Sequence, residues 1–230
     1  MISLIVPTQN RDAGYLQRLI ATTSWQNVPF HEVIVIDGNT DLSLAKANEK
    51  ACRGARYILT PSDFNLSFFY NIGIQSTSPD AAYICCTGVD FLFAPNFVEQ
   101  AQLVLNNGVE FLRSQGAILP ESADLLPDWP YLVSQAIRRF PLGHAVSLAP
   151  TDWWFDVRGY DESLNLGLGV MDGDIHRRAV KSGLVQGHTL YENTQVLHQY
   201  HPRSPLKRAN RPLRDLDPPI IKNLDSWGLL

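Results

Sequence analysis

Residues 32–41 read Glu32-Val33-Ile34-Val35-Ile36-Asp37-Gly38-Asn39-Thr40-Asp41. Val33 to Ile36 are apolar without alternation, the pattern of a strand covered on both faces. Gly38 to Thr40 is turn chemistry, and Asp41 stands where a helix N-cap belongs, ahead of Leu42 to Cys52. The same grammar extends in both directions. Ile2 to Val6 is a strand ended by Pro7, followed by Leu16, Leu19, Ile20 and Thr23 at helical spacing within Ala13 to Trp25. Arg56 to Leu59 and Ala81 to Cys86 read as strands, and Leu66 to Gln75 and Asn96 to Asn106 as helices. Strands alternating with helices predict an α/β fold with a mostly parallel sheet flanked by helices. In such sheets ligands lie beyond the carboxyl ends of the strands. That rule selects Pro7 to Arg11, Asp37 to Asp41 and Thr87 to Phe91.

Beyond Asn107 the pattern weakens. Val109 to Leu112, His144 to Leu148 and Thr194 to His198 read as short strands. Leu126 to Arg139 holds Pro127 and Pro130 and then a helical stretch. Met171 to Ser182 reads as a helix closed by Gly183. From Tyr200 onward prolines and Arg203, Lys207, Arg208, Arg211 and Arg214 predict an irregular basic tail, either a lid or a solvated segment. We divide the chain at 1–202 and 203–230, the first part into halves 1–107 and 108–202.

The chain has 230 residues and a net charge of −4. A mildly acidic chain lacks the broad basic footprint of a nucleic-acid binder. Its three cysteines, Cys52, Cys85 and Cys86, have no metal-ligand spacing. They read as reduced structural thiols, which implies a cytoplasmic setting. No window approaches a membrane-spanning length.

Asp37 ends a strand where a carboxylate can accept from a base imide or a ribose hydroxyl; a turn-forming role explains it equally well. Asp90, in Thr87-Gly88-Val89-Asp90-Phe91, is placed to hold a hard cation against phosphate, or to cap a helix. With these segments in register, the chain resembles the family-2-like GT-A glycosyltransferases, a Rossmann-like fold. Residues 2–11 look like the family's first strand and loop, and residues 33–41 like its second. Asn71-Ile72-Gly73 is similar to a helix motif of the family, and Tyr83 to Phe97 to its Asp-x-Asp segment. Gly159-Tyr160-Asp161-Glu162 is similar to its acceptor-side element. Gly167 to Arg178 resembles the base-bearing segment of galactosyltransferase-like and N-acetylgalactosaminyltransferase-like members.

The resemblance implies a nucleoside-diphosphate sugar donor, expected to be a UDP-sugar, and a glycan, lipid-linked or protein acceptor. It implies Asp172 as the general base of an inverting transfer. It further implies Mn²⁺ or Mg²⁺ held by Asp90, His198 and His201, and nucleotide contacts from Pro7, Thr8, Arg11, Asp37 and Asp90. Asp174 reads as a helix-supporting residue. Trp153, Trp154 and Met171 are expected on the acceptor side, with core packing the other reading of the tryptophans. His144, His176 and His188 carry no assigned role.

Three positions depart from the pattern: Gly88 for the first Asp of Asp-x-Asp, Met171 for a Glu, and Tyr70 for an Arg. Gly88 and Met171 also fit a second reading, a non-catalytic domain that binds a glycan or protein partner. A nucleotidyltransferase is disfavoured because Pro7-Thr8-Gln9-Asn10-Arg11 has no glycine.

Overall fold

The computed structural model describes residues 1–114, 116–125, 128–140, 146–188, 195–202, 204, 206 and 208–229. Strands β1 (Ile2–Thr8), β2 (Glu32–Asp37), β3 (Arg56–Leu59) and β4 (Tyr83–Thr87) are mutually parallel and alternate with helices α1 (Ala13–Ser24), α2 (Leu42–Ala51) and α3 (Leu66–Gln75). The short strand β5 (Phe91–Phe93) follows β4, and α4 (Phe97–Asn106) leads to β6 (Phe111–Arg113) and β7 (Gly116–Ile118). Helix α5 (Trp129–Ser134), β8 (Arg138–Phe140), β9 (Val146–Pro150), α6 (Thr151–Asp156), α7 (Met171–Lys181), β10 (Gln186–His188) and β11 (Val196–His198) complete the described elements.

The main sheet has seven strands in the order β10-β6-β9-β4-β1-β2-β3. β9 alone runs against its neighbours β4 and β6. A smaller sheet runs β5-β11-β7-β8. The α/β expectation holds. The antiparallel β9 and the second sheet were not anticipated, because strands of three residues carry too little periodicity to register. His144 and Thr194, expected to open strands, lie outside the described residues, as do Arg203 and Lys207 of the tail.

Alternation along the strands sends side chains to two cores. Leu4, Val6 and Cys85 face Leu16, Leu19, Phe97 and Ala101. Ile5, Ile34, Ile84 and Cys86 face Phe69, Ile72, Trp154 and Ile175. All three cysteines are buried and free. Asp41 caps α2 as expected, its carboxylate accepting from Ser43 N at 2.8 Å. Within α3, a Cβ on Gly73 would come 2.2 Å from Ile5 Cγ2, so only glycine permits this approach to β1. Asn71, two residues earlier, ties α3 to the second half of the chain. It donates to Tyr160 O at 2.8 Å and accepts from Tyr160 N at 2.7 Å.

The tail is irregular apart from one 3-10 turn at Arg211–Leu213. Several of its described residues are docked against the fold. Trp227 is buried in the second core. Asn223 donates to Arg158 O and Tyr160 O, and Arg178 donates to Ile220 O at 2.8 Å. Lys222 pairs with Asp161 at 2.6 Å. The tail thus buttresses the wall that carries Gly159 to Asp174.

Candidate active site

A cleft opens at the carboxyl ends of β1 and β4, where the sheet rule places a ligand. It is lined by Pro7, Thr8 and Arg11 from the loop after β1, by Gly88 and Asp90 after β4, by Tyr70 of α3, and by Asp172 and His201. Residues far apart in sequence meet there because β5 pairs antiparallel with β11, His198 opposite Phe91. Gln199 N donates to Asp90 O at 2.8 Å and fixes that register. The carboxylate of Asp90 consequently faces His201 Nε2 at 2.9 Å, His198 Nε2 at 3.7 Å and Arg11 Nη2 at 3.7 Å.

Burial alone would raise the Asp90 carboxyl; the adjacent imidazoles of His198 and His201 outweigh it and hold it well below the usual carboxylate range. The hydrogen bond to Asp90 in turn raises the His201 imidazole above its ordinary value. His201 Nδ1 lies 2.8 Å from Pro202 O, which accepts from it and leaves Nε2 facing Asp90. Ligand atoms of Asp90, His198 and His201 lie within 4.8 Å of one another. His198 Nδ1 is buried without a hydrogen-bond partner. One carboxylate and two imidazoles can hold a divalent cation, and imidazole suits Mn²⁺ better than Mg²⁺.

Thr8 contributes a second orphan, since its Oγ1 is buried without a partner beside the cleft. Asp172 is exposed at the start of α7 and lines the cleft. Tyr70 lies near both carboxylates and stacks on Tyr160 with centroids 4.8 Å apart. Its phenol is pushed well above the ordinary value, first by burial and then by its acidic surroundings, Asp172 and Asp90 among them. Asp174 points away from the cleft. It is buried, 3.6 Å from both Arg178 and Lys222, a supporting position as expected.

Several expected site residues are placed otherwise. Trp153 and Trp154 do not reach the cleft. Trp153 packs edge-on against Phe111 at 5.5 Å, and Trp154, fully buried, donates from Nε1 to Ile84 O at 3.2 Å. The acceptor stacking expected of them is corrected to core packing, because α6 turns both rings under the sheet. Met171 is also buried in that core and not on the acceptor side. Asp37 lies outside the cleft lining. Its carboxylate accepts from Asn39 N at 2.8 Å, Asn48 Nδ2 at 2.8 Å and Tyr57 Oη at 2.7 Å, which braces the turn after β2. A Cβ on Gly88 would stand 2.8 Å from Asp90 Oδ1, so the position has no room for a second carboxylate while Asp90 keeps its place.

Sequence reasoning missed Ser147 as a cleft residue, and it reached Gln9, Tyr160 and Leu168 only as members of selected segments. It also missed Asn210. That side chain is fully buried, donates to Leu164 O at 2.9 Å and Gly167 O at 2.7 Å, and accepts from Leu166 N at 2.9 Å. A lone polar residue among the tail's basic and proline residues gave no signal. The glycines at 167 and 169, which adopt φ of +145° and +93°, gave a partial one.

A mostly parallel sheet flanked by helices, with its cleft at the strand ends, is the architecture of the GT-A glycosyltransferases. Residues 3–112 match the family described as Glycosyl transferase family 2. Among solved structures the fold is similar to S. aureus TarS 1-349, with TM-score 0.62 and 14% identity over 86% of this chain and 60% of that one. It is similar to the same fragment in complex with UDP, with TM-score 0.60 and 17% identity over 87% of this chain and 61% of that one. For the complex with UDP-GlcNAc the TM-score is 0.63, with 16% identity over 89% of this chain and 60% of that one. The chain thus spans about 60% of the length of these fragments. No curated protein matches it in sequence. No described helix is long and apolar enough to cross a membrane.

Proposed function

We propose that the protein is a glycosyltransferase that moves a hexose or N-acetylhexosamine from a nucleoside-diphosphate sugar to an acceptor hydroxyl with inversion. The single observation that carries this reading is one cleft at the strand ends lined by Asp172, Asp90 and His201, with His198 completing the cluster behind them. UDP is the favoured nucleotide, because similar folds have been solved with UDP and UDP-GlcNAc. The similarity of Gly167 to Arg178 to galactosyltransferase-like members supports the sugar class.

In this reading Thr8 Oγ1 gives its unused hydrogen bond to the donor, and Arg11 sets a guanidinium against the diphosphate. Asp90, His198 and His201 hold Mn²⁺, which when bound supplies positive charge against the leaving diphosphate. Asp172 takes the proton of the attacking hydroxyl. The cleft offers one exposed carboxylate opposite the cluster, which suits single displacement better than a covalent intermediate.

The test is release of nucleoside diphosphate from a panel of nucleotide sugars with Mn²⁺. Asp172→Asn is expected to lower turnover by about 10²-fold or more while UDP binding stays intact. Full turnover in that variant removes Asp172 from the mechanism. No release with any donor, together with no Mn²⁺-dependent UDP binding, ends the enzyme reading.

A further inference from the structure

The two histidines of the cluster straddle the point where regular structure ends. β11 stops at His198, and residues 199–202 are irregular. The sheet carries His198, whose carbonyl accepts from Leu119 N at 3.0 Å. His201 lies three residues further on. Its ring nevertheless stands 5.0 Å from that of His198, and its Nε2 2.9 Å from the Asp90 carboxylate. An irregular segment keeps a ligand in place only when contacts behind the ligands hold it.

Both residues between the histidines are anchored, and to the same helix. Gln199 is buried. Its Oε1 accepts from Arg18 Nε, and its Nε2 donates to Tyr15 O at 3.3 Å. Its backbone N–H meanwhile holds Asp90 O. Tyr200 O accepts from Tyr15 Oη at 2.8 Å. Tyr15 and Arg18 are three residues apart, so they are neighbours on one face of α1. The Arg18 guanidinium lies over the Tyr15 ring, 5.1 Å from its centroid. It folds back over Gly14, where a Cβ would stand 3.0 Å from Nη1 and crowd it. Gln199 therefore joins three parties: α1, the loop bearing Asp90, and the segment bearing His201. Tyr15, Arg18 and Gln199 lie outside the cleft lining. Electrostatics gives no reason to keep a guanidinium near a cation site, since like charges repel. The bond to Gln199 does give one.

We infer that Tyr15, Arg18 and Gln199 are positioning residues for the metal site: α1 holds residues 199 and 200, and thereby sets where His201 stands relative to Asp90 and His198. The inference rests on the glycosyltransferase reading with its Mn²⁺. It adds the residues behind the ligands that fix metal affinity.

The measurement is Mn²⁺ affinity of the full chain, read from the EPR signal of free Mn²⁺ with and without UDP. Arg18→Met keeps an apolar stem and loses the bond to Gln199. Tyr15→Phe keeps the ring and loses the bond to Tyr200 O. Each should weaken Mn²⁺ by about tenfold, the usual effect of losing a partner behind a metal ligand. Arg18→Lys retains a donor for Gln199 and should recover affinity to within about threefold. Thr23 lies on the same helix and donates only within it, to Ile20 O at 2.8 Å. Thr23→Val should change Mn²⁺ affinity by less than about twofold. UDP affinity without metal should stay within about twofold in every variant. The direction for Arg18→Met is diagnostic, because removing a positive charge would by itself strengthen Mn²⁺. A role confined to stability would lower Tm and leave metal affinity unchanged. Tyr15→Phe alters a single hydroxyl at an exposed bond, so it reports even where Arg18→Met does not fold. The inference is overturned if either folded variant binds Mn²⁺ as the unaltered protein does, or if Arg18→Met binds it more tightly. Absence of Mn²⁺ binding by the unaltered protein, with UDP present, instead removes the metal from the glycosyltransferase reading, and the inference with it.

Discussion

Replacing Asn210 with Ala tests whether the tail sets the position of Asp172. The side chain is fully buried and makes three hydrogen bonds, all to the backbone of residues 164–167. At a net value near 1 kcal/mol each, their loss amounts to about 3 kcal/mol; water entering the gap moderates the loss and unmet carbonyls aggravate it. For a chain of this length that is a fall in Tm of roughly 6–12 °C. The loop also relies on Val170, held at φ +75° immediately before α7, and an unsupported loop will not keep that conformation. Asp172 then loses its alignment, while the nucleotide side, built on β1 and β4, is untouched. Expected are a drop in turnover of about tenfold or more, UDP affinity within about twofold, and faster hydrogen exchange confined to residues 164–172. Asn210→Asp keeps the shape and loses both donors, and should be at least as damaging. Thermal unfolding of the two variants decides the matter. A fall in Tm below about 2 °C, or equal losses of UDP binding and turnover, refutes the reasoning.

Restoring the family's carboxylate by Gly88→Asp should weaken Mn²⁺-dependent UDP binding by about tenfold or more, since its Cβ would meet Asp90 Oδ1 at 2.8 Å; calorimetry reads this directly. The Asp90–His201 pair gives a signed pH dependence. Asp90 is lowered, so its contribution is present above about pH 4 and lost as pH falls; His201 is raised, so its contribution is full below about pH 6.5 and lost as pH climbs through its folded value. Metal-free stability should therefore decline on the alkaline side of that window. Mn²⁺ affinity should rise there, because the ion competes with the proton on His201, and His201→Ala should flatten both trends in thermal scans and titrations. Trp154→Ala should cost about 3–5 kcal/mol by thermal unfolding, whereas Trp154→Phe should fold and keep its acceptor KM. An acceptor-selective rise in KM for the Phe variant would reinstate a contact with sugar.

The nucleotide-side half was legible because each of its strands is a near-continuous apolar run and its breaks are chemical. Asp41 caps where expected, and α3 runs from Leu66 to Gln75 as its periodicity predicts. Asp90, His198, His201 and Asp172 were legible through the order of motifs, although nothing local in Val196-Leu197-His198 announces its pairing with Phe91. What escaped was set by tertiary contacts. Trp153 and Trp154 look the same to a sequence whether they face sugar or core, and only the turn of α6 decides. Asp37 has the right address for a nucleoside contact, yet Asn48 and Tyr57, 11 and 20 residues away, claim its oxygens. The arginines at 177 and 178 are indistinguishable by type, and the carbonyls of Val157, Gly159 and Ile220 make the second structural.

The dependence of the Asp172 wall on the tail also has a consequence in time. Asn210 and Asn223 reach back 43 to 65 residues to the segments they hold. A chain growing from its amino end completes β1 to β4 well before those partners exist, and β11, which brings His198 beside Asp90, is also among the last elements made. Domains settle progressively during synthesis. The wall around Asp172 therefore forms only after residues 210–223 have been made, later than strands β1 to β4.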